Sequence, residues 1–286
     1  MSEFLLYLIN GIVIGVINAI SAIGVSLIVG IMKVVNFAHG ELFIFAGYFS
    51  YHLSQSLGLP PLVAMFVAVG LTFLVGLLME WTLIRPTYGD DIRSLIITFI
   101  LSIVLQNAAL LIFGPYPLKP PALIGGATNL FGLFYYGNQR LISFFISLAV
   151  LFLIFYLLKR TWFGKAIRAI SQDRQMASMI GIDHWKMNTF SFGLGAALAG
   201  VAGVIVAPIF PVTPSGSAAI SLTAFVIVVL GGMGSLKGCI IGGLLLGLIE
   251  NLGAAYISTM YRNIFAFIIL ILVLVIRPWG LFGQKA

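Results

Sequence analysis

Uncharged stretches set the rhythm of this chain. Asp, Glu, Lys and Arg are absent from Phe4–Met32, Leu42–Met79, Ser94–Phe113, Leu141–Leu158, Met187–Leu236, Gly238–Ile249 and Asn263–Ile276. Runs of this kind predict membrane-crossing helices, each needing about 20 residues. Leu42–Met79 is too long for one crossing, and Gly58-Leu59-Pro60-Pro61 divides it. Met187–Leu236 is divided in the same way by Pro208, Pro211 and Pro214, because proline has no N–H and its ring clashes with the preceding turn. The run after Lys237 is expected to continue through Glu250 to Ile257. The pattern gives nine hydrophobic segments, eight or nine of them crossings (range eight to ten). The short segment around 37–53 reads as either broken or re-entrant.

Composition agrees. Of 286 residues, 61% are hydrophobic and 8% charged, with a mean hydropathy of +1.14. So few charges cannot cover a water-soluble enzyme, and disorder needs the opposite balance. The fold class expected is an all-α polytopic membrane protein, with one transmembrane domain over 1–286. A net charge of +7 would suggest nucleic acid in a soluble protein; here it fits basic cytoplasmic loops in a lipid bilayer, with no nucleic-acid partner. Cys239 is the single cysteine, so no intramolecular disulfide is possible. The acidic start MSEFLLYLING lacks a basic n-region and reads as the first membrane helix rather than a cleaved leader.

Basic residues set the orientation. The 159–186 connection holds six of the fifteen Lys and Arg residues, whereas the nearly equal Gly114–Arg140 connection holds Lys119 and Arg140. The first is expected in the cytoplasm and the second outside; the Arg85–Arg93 loop and the Arg277–Ala286 tail then also fall inside. The side of the N-terminus depends on whether the span count is odd or even. Ile84-Arg85-Pro86 recurs as Ile276-Arg277-Pro278, 192 residues later, an offset that lays 37–53 over 229–245 and Gly40 on Gly232. This is either chance, since Arg-Pro is a natural stop at a boundary, or the trace of two related halves around one pathway.

No catalytic constellation is present. There is no GxxxxGK[ST] loop, so any ATP must be bound elsewhere. His39, His52 and His184 are scattered and match no metal-site spacing. Within 159–186, Trp162–Ile170 has an apolar and a basic face. Ser171 or Asp173 can cap a second short helix through Met176, Ala177 and Ile180 to Gly181, whose residue type suits a left-handed end. So short a helix is marginal alone. It either rests on lipid or docks on a cytoplasmic partner.

Polar residues inside apolar segments are functional candidates because burying them in lipid is costly. Asn36-Phe37-Ala38-His39-Gly40-Glu41 and Glu250-Asn251 qualify, with Gln106-Asn107 a weaker third. The loop assignment puts the first cluster near the cytoplasmic boundary, where the alternative is a helix start capped by Asn36 with Glu41 near its positive end; Glu250 is expected near the external boundary. Gly231-Gly232-Met233-Gly234-Ser235 is too glycine-dense for an ordinary span and predicts a break at which backbone could line a pathway. Gly11/Gly15, Gly238/Gly242 and Gly243/Gly247 predict close helix contacts.

Four motifs in order resemble the permease subunits of branched-chain amino-acid ABC importers, LivH/LivM type, and the LivH-like member in particular. They are Val35–Glu41, Met176–Ile182, Val229–Gly238 and Arg277–Gly283; Lys237 departs from the proline common at its place. The resemblance implies a type II importer fold like that of the vitamin-B12 importer, in a bacterial inner membrane. It implies a coupling helix at 172–181 (Gln172, Asp173, Met176, Ala177, Ile180, Gly181) docking on two cytoplasmic ATPases, which use the ATP and Mg²⁺; this chain binds no cofactor of its own. A second permease subunit, or a second copy, and a solute-binding protein complete the assembly. Candidate pathway or gating residues are Asn36, His39, Glu41, Gly231, Gly232, Gly234, Ser235, Glu250 and Asn251. Urea or short amides are alternative solutes within the family. An ion-coupled transporter would need a mid-membrane acid, for which Glu80 and Glu250 are available, and a membrane enzyme lacks a nucleophile–base or metal cluster.

Overall fold

The computed structural model describes residues 2–130, 132, 134–277 and 279–283. Pro278 of the closing motif and the last three residues of the tail lie outside them. The helices are α1 (Ser2–Met32), α2 (His39–Gln55), α3 (Pro61–Met79), α4 (Asp91–Phe113), α5 (Asn138–Arg160), α6 (Trp162–Gln172), α7 (Arg174–Met179), α8 (His184–Val206), α9 (Ser217–Gly231), α10 (Leu236–Tyr256) and α11 (Arg262–Ile276). A small antiparallel hairpin, β1 (Ala127–Leu130) and β2 (Phe134–Gly137), precedes α5. Among the described residues seven helices are long and apolar enough to cross a membrane. With the shorter α2 and α11 they account for the nine hydrophobic segments.

The breakers act where the chain chemistry places them. Gly58 (φ +65°) ends α2 and Pro61 opens α3. α3 widens into a π turn at Glu80–Ile84: Pro86 offers no N–H and its ring crowds the carbonyl four residues back, so Arg85 N–H reaches the Glu80 carbonyl instead. After α8 the proline-rich segment carries a two-way bridge between Leu118 and Val212, at 3.0 and 2.9 Å, and leads into α9.

Glycines set the packing. α1 and α10 run antiparallel with Gly11 on Gly247, Gly15 on Gly243 and Gly30 on Gly234. Lipid gives helices no hydrophobic drive to associate, so close backbone approach supplies dispersion contacts instead. α3 packs on α8 in the matching way, Gly76 meeting Gly193 and Ala196, and Gly200 meeting Thr72. α1 and α8 cross where Gly24 and Gly195 face each other. α2 sits against α8 and α3, as α9 sits against α1 and α10. The contacts of α1–α4 therefore recur in α8–α11, with every helix reversed in direction.

That relation corrects the 192-residue offset. Gly40 opens α2 whereas Gly232 closes α9, so the offset matches a helix start to a helix end. Two inverted halves share contacts, not the order of stop signals along the chain.

α1 is the axis, with 83% of its most apolar window buried against 11% for α4. The outer faces of α3, α4, α5 and α11 present bare aliphatic and aromatic side chains such as Phe66, Leu111, Phe152 and Val275. Of the described Lys and Arg residues, all but Lys119, Arg140 and Arg262 fall at the end of the bundle that carries α6 and α7; the hairpin lies at the other end.

Candidate functional site

α1 ends at Met32, and Lys33, at φ +58°, turns the chain back into the bundle. A non-glycine residue in the left-handed region is uncommon. α2 then begins beside the middle of α1: His39 Nε2 donates to the Ser21 carbonyl at 3.0 Å, with Ser21 Oγ at 3.2 Å. α9 begins at the same level. Ser221 Oγ accepts from Gly40 N–H at 2.8 Å and donates to the Phe37 carbonyl at 3.0 Å. A Cβ on Gly40 would stand 2.1 Å from the Ser217 carbonyl oxygen, so only glycine fits. Two short helices thus start inside the bundle with their N-termini joined.

Beside this junction is a cavity of about 260 Å³, walled by α1, α2, α9, α10 and the segment after α8. Its polar lining is Asn18, Ser21, Thr213, Thr223 and Glu250; Ile14, Phe43 and Ile220 are among its apolar walls. Glu250 is buried inside the bundle, six residues before the end of α10 at Tyr256. An acid facing a half-apolar cavity, with hydroxyls and an amide around it, can hold a small cationic or zwitterionic solute.

The other sequence candidates fall in different places. Asn36, His39 and Glu41 are all buried, and His39 lies beside Ser21, well inside α1 and not at its end. Asn36 does not cap α2: its Oδ1 accepts from Ala38 N–H at 3.0 Å, within the re-entrant turn, and Ala38 occupies the cap position. Glu41 turns toward α4 and accepts from Ser102 Oγ at 2.7 Å. Asn251 donates to the Gly247 carbonyl of its own helix at 2.8 Å. Gln106 donates to the Pro214 carbonyl at 3.3 Å, and Asn107 to the Ile103 carbonyl.

Gly231, Gly232, Gly234 and Ser235 do not break a span at mid-depth. They form the α9–α10 turn at the basic end, with Gly232 at φ +95°, Gly234 at φ +80°, and Ser235 Oγ capping α10 at Gly238 N–H. Gly231 meets Gly238, and Gly232 meets Gly283 near the chain end. Gly234 and Ser235 line a second cavity, of about 610 Å³, with Ser26, Ile167 and Arg168. Asn18, Ser21, Thr213 and Thr223 escaped the sequence reading, because single Asn, Ser and Thr residues in apolar runs carry no signal until the fold gathers them.

At the basic end α6 and α7 are separate helices, with Gln172 closing the first and Asp173 capping the second through Gln175 and Met176 N–H at 2.8 and 3.0 Å. Gly181, at φ +85°, ends the segment. Ala177 does not share an outward face with Met176 and Ile180. It is 2% exposed and turns inward, while Met176, Met179 and Ile180 stand 63%, 82% and 74% exposed. Three bare apolar side chains on one turn, held by an Asp cap, make an anchor for a groove.

Half-helices meeting inside an inverted bundle, a cavity between them, and an apolar anchor at the basic end define a polytopic helical transport protein. The branched-chain amino acid transport system permease component family matches residues 7–274, and the chain belongs to that family. It is 33% identical to the high-affinity branched-chain amino acid permease LivH of Salmonella typhimurium, over 99% of this chain and 98% of that one. It is equally similar to BraD of Pseudomonas aeruginosa, over 99% and 96%. PsaBC from Streptococcus pneumoniae, solved in complex with a Fab, matches in fold at a TM-score of 0.52 and 17% identity, over 94% of this chain and 91% of that one. The chain is therefore an ABC importer permease subunit, a multi-pass membrane protein that is not itself an enzyme.

Proposed function

We propose that this chain forms half of an ATP-driven uptake path for branched-chain or closely related amino acids, with the cavity at Glu250 as a way-station. The observation that carries the reading is the composition of that cavity: a carboxylate for an ammonium group, and Ile14, Phe43 and Ile220 for an aliphatic side chain. The names of the relatives support the solute class. The α7 anchor, Met176, Met179 and Ile180, docks on cytoplasmic ATPase subunits that hold the ATP and Mg²⁺, and the 159–186 loop and the C-terminus face the cytoplasm of a bacterial inner membrane. A second permease subunit covers bare outer helix faces, and a solute-binding protein delivers at the hairpin end.

Purification of the tagged chain in mild detergent tests the assembly: a second permease and Walker-type ATPases are expected with it. Reconstituted with its binding protein, the complex should take up leucine only with ATP. Uptake by the chain alone, driven by an ion gradient and abolished by Glu250→Gln, would overturn the reading in favour of an ion-coupled transporter, the role that a buried carboxylate also suits.

A further inference from the structure

Beside Glu41 and Glu250 the structure holds a third buried acid, which does not line the cavity. Glu80 is fully buried at the start of the π turn of α3. Its Oε1 accepts from Tyr88 Oη and its Oε2 from Thr189 Oγ1 of α8, both at 2.5 Å. No basic side chain pairs with it among the described residues. Tyr88 lies stacked on Trp185, centroids 5.4 Å apart at 25°. Arg174, the first residue of α7, stands 5.7 Å over the Tyr88 ring, and Arg85 stands 4.8 Å over Trp185. A further link joins Ser178 Oγ of α7 to His184 Nδ1 at 3.3 Å. A continuous chain of contacts thus runs from α7 through Tyr88 to one carboxylate that also grips α8.

We propose that Glu80 is the positioning residue that couples α7 to transport: its two oxygens hold Tyr88 and Thr189 together, so that a displacement of α7 moves α3 and α8 as one unit. The proposal rests on the docking reading above. α3 and α8 pack closely through Gly76 and Gly193, a seam that transmits displacement because packed interfaces shift between discrete arrangements instead of deforming smoothly. The π turn places the carboxylate where one acid reaches both hydroxyls, and such turns recur at functional positions. Tyr88 and Thr189 contribute a single hydroxyl each, which makes the link severable without touching the stack or the seam.

The test uses the whole reconstituted importer and reads solute taken up per ATP hydrolysed. Tyr88→Phe keeps the ring on Trp185 and removes one hydroxyl; Thr189→Val keeps the volume and removes the other. Each is expected to lower the uptake-to-hydrolysis ratio about tenfold, the scale of one lost buried hydrogen bond. Thr189→Ser, which retains the hydroxyl, is expected to restore the ratio. The double variant should lose little more than either alone, because both cut the same link. An unchanged ratio in both single variants, with ATPase still bound, would overturn the proposal. So would an equal loss in Thr189→Ser and Thr189→Val, the mark of a packing effect. Failure of the docking reading is a separate result: the unmodified chain would then recover no ATPase.

Discussion

At the residue scale, what a position tolerates follows from what a single added carbon would meet. A Cβ at Gly40 enters the Ser217 carbonyl and stands 2.5 Å from Ser221 Oγ; the first obstacle is backbone and cannot rotate away. Gly40→Ala should cost about 1–3 kcal/mol, the usual penalty for overfilling a packed site, and lower the melting temperature of the detergent-purified chain. Gly70 provides the control. It lies inside α3 with nothing within 4 Å of an added Cβ, so Gly70→Ala should be neutral or stabilise by up to about 1 kcal/mol through helix propensity. Equal melting of both variants would break the inference that the α2–α9 junction is a rigid contact. Asp183 makes a third case, outside the spans. Its side chain caps α8 through Trp185 and Lys186 N–H, and the Lys186 N–H in particular lowers its pKa below the ordinary carboxylate value. A lowered acid stabilises above its unfolded pKa and is lost as pH falls through the folded one. Amide protection at Trp185 and Lys186, corrected for intrinsic exchange, should therefore persist from neutral pH through the ordinary carboxylate value of about 4 and fail only at lower pH.

At the element scale, the exposed and inward faces of α7 make opposite predictions. Met179→Glu alters a side chain that is 82% exposed, so the bundle should melt as before while recovery of ATPase subunits drops. Ala177→Glu places a charge at a 2% exposed position; burying it without a partner is costly, and this variant should lower the melting temperature as well. If Ala177→Glu were as stable as the parent, the inward orientation of α7 would be wrong. This helix also shows how far the sequence could be read. Asp173 as cap, Gly181 as terminator and the proline breaks are local chemistry, and each acts in the structure at its expected place. Which way Ala177 points is decided by packing against the rest of the bundle, and no six-residue window contains that. The same limit explains Asn36–Glu41. Residue types announced a polar cluster, yet its depth depends on the turn at Lys33 carrying the chain back inside, which the hydrophobic pattern alone left open between a broken and a re-entrant segment.

At the scale of the whole molecule, the inverted relation of α1–α4 to α8–α11 fixes which ends of the helices share a side, and the excess of Lys and Arg at the α6–α7 end predicts that this side is the cytoplasmic one. The cavity lining is a product of that arrangement: Asn18, Thr223 and Glu250 are far apart in the chain and meet only because α9 and α10 return against α1. The topology is open to a direct check. Cys239 is the single cysteine and is fully buried, so new cysteines report on the natural background. Tyr135, in the hairpin, and Ile180, after α7, are each 74% exposed at opposite ends of the bundle. In cells expressing the chain without its partners, Tyr135→Cys should react with an impermeant maleimide added outside. Ile180→Cys should react only once the membrane is opened, and the parent chain should not react in either state. Labelling of both variants from outside would contradict a bundle that spans the membrane between hairpin and α7. Labelling of Ile180→Cys alone from outside would invert the orientation, setting the basic end against the outer face and leaving the α7 anchor beyond reach of any cytoplasmic ATPase.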